Sequence, residues 1–99
     1  MPSDKISIQQ SPAFARKAKK LKSSEKKDLD SAVRAIAEDP EAGEEKVGDL
    51  AGIRVYKYRS NKLQVLLSYQ YFDSENTLVL ITFGAHENFY RDLKKYNKT

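Results

Sequence analysis

Apolar positions along this chain change their spacing twice, and the changes divide it into elements. Ile6 and Ile8 alternate with polar neighbours, which predicts a short first strand. Ser11 and Pro12 then supply a helix N-cap and a proline at the first helical position, where its missing N–H costs nothing. Phe14, Ala18 and Leu21 follow at i, i+4 and i+7, so residues 12–21 read as a helix with one apolar stripe. After Ser23-Ser24, the residues Leu29, Ala32, Val33, Ile36 and Ala37 keep the helical spacing and predict a second helix to about Glu38, antiparallel to the first. Asp39-Pro40 ends it, because the residue before a proline disfavours the helical region.

Residues 41–52 form an acidic loop punctuated by Gly43, Gly48 and Gly52, and beyond it the period falls to two. Residues 53–59, 63–72 and 78–83 read as three strands joined by turns at 60–62 and 73–76. The runs VLLSYQYF and LVLITF are almost continuously apolar, so these two strands should be central and covered by helices. The strand from Ile53, alternating basic and aromatic residues, should show one face to solvent. Gly84 closes the last strand, and a short helix over 87–96 sets Phe89, Leu93 and Tyr96 on one stripe. The order predicts one α+β domain over residues 1–99. In it an N-terminal strand and a helical hairpin pack as two layers on a mainly antiparallel four-stranded sheet, followed by a short C-terminal helix.

Composition narrows the function. At 99 residues the chain is long enough for one domain and too short for two. It has no cysteine, which excludes disulfides and thiolate metal sites, and MPSDKISIQQ lacks the apolar stretch of a signal peptide. No stretch approaches the roughly 20 apolar residues of a membrane helix. A cytoplasmic protein with neither cofactor nor metal is expected. The net charge of +4 is unevenly spread. Arg16, Lys17, Lys19, Lys20, Lys22, Lys26 and Lys27 stand against Glu25 alone, and Arg54, Lys57, Arg59 and Lys62 have no acid among them, whereas Glu38, Asp39, Glu41, Glu44, Glu45 and Asp49 are grouped. Such segregation suits a polyanion or an acidic protein partner; basic stripes that serve only solubility are the plainer reading.

The order of elements, the segment AIAEDPEAGEEKVGDLAGIRVYKYR (35–59), the segment QVLLSYQYFDSENTLVLITFGAHENFYRDLK (64–94) and the small basic domain together resemble the RelE/ParE superfamily of toxins from type II toxin-antitoxin modules. The ending GAHENFY is similar to the RelE/YafQ-type branch. That resemblance implies a RelE-like fold and an mRNA endonuclease (mRNA interferase) dependent on the ribosome, acting in the 30S A site. It also implies a cognate antitoxin, acidic and partly disordered, that binds the toxin in a hetero-oligomer. The ParE-like group shares the scaffold and inhibits DNA gyrase, which is the alternative.

RNA can be cut without a metal when its own 2′-hydroxyl attacks the adjacent phosphorus, which needs a base, an acid and cations around the crowded phosphorane. An imidazole titrates near pH ~6.5, and His86 is the single histidine. Tyr90, one helical turn on, could steady the phosphate or stack on a base; the plainer reading makes it a rim aromatic. Lys57 and Arg59 are candidates for the phosphate. Alternation turns Arg54 to the other face of their strand. A base other than His86 would have to be a lysine, Glu87 or Asp73, since relatives' middle-strand histidines and arginines are replaced here by Gln64, Ser68 and Gln70. Arg54, Lys17, Lys20, Lys62 and Lys94 complete the candidate RNA contacts, through salt-sensitive, sequence-neutral phosphate interactions.

Overall fold

A computed structural model describes residues 6–85, 89–91 and 93. His86, Glu87, Lys94 and Tyr96, singled out above, lie outside the described residues. The first helix, α1 (Pro12–Lys19), starts as the sequence predicts: Ser11 is its N-cap, and the Ser11 hydroxyl accepts from the Phe14 N–H at 3.1 Å. The second helix, α2 (Ser23–Glu38), is anchored at its start by Glu25, whose carboxylate accepts from the Lys22 N–H at 2.9 Å. Its apolar stripe buries Leu29, Ala32 and Ile36. No helix among the described residues is long and apolar enough to cross a membrane.

The strands are β1 (Ser7–Gln10), β2 (Glu44–Glu45), β3 (Arg54–Ser60), β4 (Leu63–Phe72) and β5 (Thr77–Gly84), arranged in the order β1-β5-β4-β3-β2. Among the described residues only β1 runs parallel to its neighbour, β5; the other pairs are antiparallel. The expected four-stranded sheet thus gains a fifth strand at its edge. Glu44 and Glu45, read as loop, pair with Val55 and Arg54, and two residues are too few to carry a period.

Both faces of the sheet are buried, as the continuous apolar runs of β4 and β5 require. On one face Phe14, Leu29, Ala32 and Ile36 of the two helices pack against Leu67, Tyr69, Leu78, Leu80 and Phe83. On the other, Phe89 and Leu93, from the helical residues 89–91 and 93, join Leu50, Ile53, Val55, Leu66 and Ile81. The α+β class is therefore as expected, with the C-terminal helix forming a further layer on the side away from α1 and α2.

Turn chemistry sets the register of the β3–β4 hairpin. Ser60 pairs with Leu63, leaving Asn61 and Lys62 as a two-residue loop, and both have positive φ (52° and 68°). Two positive φ values match the twist of a hairpin, but only glycine, and less readily asparagine, adopts them without strain. The loop is clamped from α2: the Ser60 hydroxyl donates to Asp28 at 2.8 Å, and the Asn61 amide donates to Glu25 at 3.2 Å. Lys62→Gly should therefore stabilise the fold by roughly 1 kcal/mol, the left-handed penalty removed less the glycine entropy, read as a higher urea midpoint with unchanged slope.

The same two carboxylates act on Tyr58, which lies on the α2 side of β3. Burial first, then the charges of Asp28 and Glu25, push its phenol from 10.0 up to about 12. A proton held more tightly in the folded than in the unfolded chain contributes stability fully below the unfolded value, and that contribution fades as pH climbs from about 10 to about 12. Between pH 8 and pH 11 the urea midpoint of Tyr58→Phe should fall by less than that of the parent chain. Equal falls would remove Tyr58 from the alkaline transition.

Candidate functional site

Cross-strand register decides which of the candidate residues meet. Lys57 pairs with Leu66 and Leu66 with Gly84, so the three share one row and one face; Arg59 and Gln64 form the next row toward the hairpin tip. Toward the other end the row of Val55, Ser68 and Thr82 on the same face is buried. This face therefore changes from an apolar floor under the C-terminal helix to exposed cations, Lys57, Arg59 and Lys62, at the end where β5 leaves the sheet. His86 follows Gly84 by two residues in sequence. Arg59 is oriented by its own hairpin, its Nη2 donating to the Lys62 carbonyl at 3.0 Å.

Arg54 points the other way, as strand alternation requires. Its Nη1 donates to the carbonyls of Gly43 (2.7 Å) and Glu41 (3.3 Å), and its Nη2 lies 3.6 Å from a Glu45 carboxylate oxygen. The structure thus places Arg54 as a brace for the acidic loop, apart from Lys57 and Arg59. Asp73 is also remote: it opens the turn before β5, whose Thr77–Gly84 span of seven steps puts it about 23 Å from the Gly84 end. Ser68, read as a middle-strand polar residue, is fully buried, with its hydroxyl 3.2 Å from both the carbonyl and the N–H of Thr82.

Tyr90 has a partner that sequence reasoning did not anticipate. Its ring packs edge-on against Phe89, with centroids 5.0 Å apart, and Lys46 Nζ stands 5.8 Å from the Tyr90 centroid. Burial lowers the Lys46 pKa, but hydrogen bonds to Glu44 and to the Tyr90 hydroxyl outweigh it and leave the ammonium above its ordinary value. The Lys46 N–H donates to the Ile53 carbonyl at 2.9 Å. Ile53 lies about 13 Å along β3 from Lys57, so the phenol is held toward the Lys46 end of this face. No periodicity within the acidic loop marks Lys46, so nothing in the sequence signals this contact.

Of the lysines on the first helix, Lys20 is exposed at its C-cap and Lys17 is drawn inward. Lys17 Nζ donates to the Phe83 carbonyl at 2.6 Å and lies 5.7 Å from the centre of the Phe83 ring. The apolar stripe of Phe14, Ala18 and Leu21, to which Lys17 does not belong, gave no hint of a bond 66 residues away.

Comparison with known proteins places this arrangement. A family model described as the ParE-like toxin of type II bacterial toxin-antitoxin systems matches residues 8–94. The intact E. coli RelBE toxin-antitoxin complex contains a chain similar in structure, with a TM-score of 0.69 and 20% identity, covering 84% of this chain and 99% of that one. The isolated E. coli RelE toxin is similar with a TM-score of 0.66 and 19% identity, covering 93% and 99%. A conserved hypothetical protein from Helicobacter pylori is similar with a TM-score of 0.56 and 26% identity, covering 86% and 99%. No curated protein sequence matches this chain. With the family model spanning nearly the whole domain, and the fold shared with RelE, the chain belongs to the ParE-like toxin family of type II toxin-antitoxin systems, within the RelE/ParE superfamily.

Proposed function

We propose that this toxin is a metal-independent endoribonuclease that cuts mRNA in the ribosomal A site. The observation that carries the reading is the shared row of Lys57, Leu66 and Gly84, with Arg59 beside it: cations collect at the strand end from which the chain runs on to His86. In the reaction the 2′-oxygen attacks phosphorus as its proton passes to a base, and the bond from phosphorus to the 5′-oxygen breaks as that oxygen takes a proton from an acid. The products are a 2′,3′-cyclic phosphate and a 5′-hydroxyl. Lys57 and Arg59 offset charge on the phosphorane oxygens, and His86 carries one of the two protons.

Because this chain has a single histidine, the opposite proton transfer depends on a lysine or on Glu87, and on the ribosome holding the 2′-hydroxyl in line. Preorganised geometry of that kind makes free RNA a poor substrate. The E. coli RelE neighbour is solved in a toxin-antitoxin complex, which supports a cognate antitoxin as the partner here, silencing the toxin in a hetero-oligomer.

Gyrase inhibition is the second reading, favoured by the ParE-like description of the matching family model. Mild induction in a bacterial host separates the two. New transcript ends inside translated frames, with plasmid supercoiling intact, are the expected result. Arrested growth with relaxed plasmids and uncut messages would overturn the ribonuclease reading in favour of gyrase.

A further inference from the structure

Between the first turn of α2 and the β3–β4 hairpin lies a cavity of about 190 Å³. Tyr58, Val65 and Phe83 form its apolar wall, Leu63 stands at its rim, 66% exposed, and Glu25 and Gln64 supply polar groups. Gly84 and Ala85 border it, so it adjoins the point where the chain leaves β5 and runs on to His86. β4 extends to Leu63, three residues past the pair of Leu66 and Gly84, so among the described residues no strand continues β5 beside Gln64. Gln64 therefore belongs to two surfaces. It is the cross-strand partner of Arg59 in the row of cations, about 5 Å away, and it also lines the cavity on the helix side. The two faces of the sheet meet at this end, and a nucleotide whose phosphate rests on Arg59 can turn its base over Gln64 into the cavity.

Resting on the ribonuclease reading above, we infer that this cavity takes one splayed pyrimidine base of the message, cytosine in preference to uracil, and so selects where the message is cut. Size favours a single ring. A cavity of about 150 Å³ admits a benzene ring, so this one holds a six-membered ring with its substituents and is small for a fused purine. The Tyr58 ring and the apolar wall suit the face of a base lifted out of its stack. Glu25 sets the preference: a carboxylate accepts from the N4 amino group of cytosine, whereas uracil presents a carbonyl oxygen at that position. The carboxylate already accepts from the Lys22 N–H at 2.9 Å and the Asn61 amide at 3.2 Å, and its roughly four lone-pair sites leave room for a further donor. An aliphatic anchor from a protein partner would bury that carboxylate without offering it one.

The test uses the full chain and fluorescent single-stranded RNA whose 2′-hydroxyls are all methylated, as oligocytidine, oligouridine and oligoadenosine of one length, so that binding is read by anisotropy without cleavage. The parent chain should bind the cytidine oligomer about tenfold more tightly than the other two, the scale of one specific base contact. Val65→Phe fills the cavity; it should level the three affinities and leave the dependence of log affinity on log salt unchanged, because the phosphate contacts lie elsewhere. Glu25→Gln keeps an acceptor for the Lys22 N–H and removes the charge. It should cut the preference for cytidine over uridine to about twofold, whereas a purely structural role for Glu25 would weaken both oligomers alike. Thermal melts report whether each variant is folded, and the Glu25→Gln ratio serves where Val65→Phe is not. Equal binding of the three oligomers by the parent chain, or an unchanged ratio in Glu25→Gln, would overturn the base site while the ribonuclease reading stands. A Val65→Phe chain that keeps the cytidine preference but no longer holds its co-expressed antitoxin assigns the cavity to the protein partner, and also overturns it. Failure of the parent chain to bind any of the oligomers at low salt would overturn both readings.

Discussion

Gly43→Ala is expected to destabilise the fold by about 3 kcal/mol, a drop in melting temperature of roughly 15 °C for a domain of this size. The added methyl would meet Tyr69 at 2.7 Å from its hydroxyl oxygen, 2.8 Å from Cε1 and 3.1 Å from Cζ. Tyr69 has no room to retreat. It is 0% exposed in the core beneath α2, and its hydroxyl is fixed twice, accepting from the Gly43 N–H at 2.8 Å and donating to the Pro40 carbonyl at 2.7 Å. Relieving the clash by moving the ring breaks both bonds and strains the packing. The same burial raises the Tyr69 pKa, against the opposing pull of the Gly43 bond and the Arg54 charge. Tyr69→Phe, which keeps the ring and forfeits the two bonds, should cost less, about 1–2 kcal/mol. The double variant should cost less than the two single losses added, because the hydroxyl is one of the clashing atoms. Urea titrations of the four chains measure all three quantities. A change under about 0.5 kcal/mol for Gly43→Ala, the range of an ordinary surface substitution, would mean that the acidic loop does not close over Tyr69 as described.

His86→Ala is expected to reduce message cleavage on programmed ribosomes by roughly 10²-fold to 10⁴-fold, the range for loss of a positioned proton-transfer group. The expectation follows from the scarcity of alternatives among the described residues at the exit end of the sheet. Asp73 is about 23 Å away, and Tyr90 is engaged by Lys46. Lys57 and Arg59 supply charge there. His86→Gln should be nearly as poor, since an amide can hold a position but cannot carry the proton. Binding of the methylated RNA by either variant should change far less than cleavage, separating loss of chemistry from loss of the site. Undiminished scission with alanine at position 86 would remove the histidine from the mechanism and shift attention to the lysines.

Residues near one another in sequence account for what could be read without the structure. Ser11-Pro12 marked the start of α1 because an N-cap and its target lie three positions apart, and the stripe from Leu29 to Ala37 marked α2 because helical faces recur every three to four residues. Alternation alone put Lys57 and Arg59 on one face and Arg54 on the other, as the register shows. The apolar runs of β4 and β5 announced central strands covered by helices; the two-layer expectation left out the second cover, which Phe89 and Leu93 supply.

Tertiary structure decided the contacts whose partners are far apart in sequence. Gly43 and Tyr69 are 26 positions apart and Lys17 and Phe83 are 66 apart; Lys46 and Tyr90 meet although they are 44 positions apart. Each depends on how strands from different parts of the chain align, and no short-range period encodes that alignment. Local spacing thus determined the elements and the facing of their side chains. Long-range packing chose which cations stand together at the sheet's exit, because a side chain's reach is set by the backbone it lands beside.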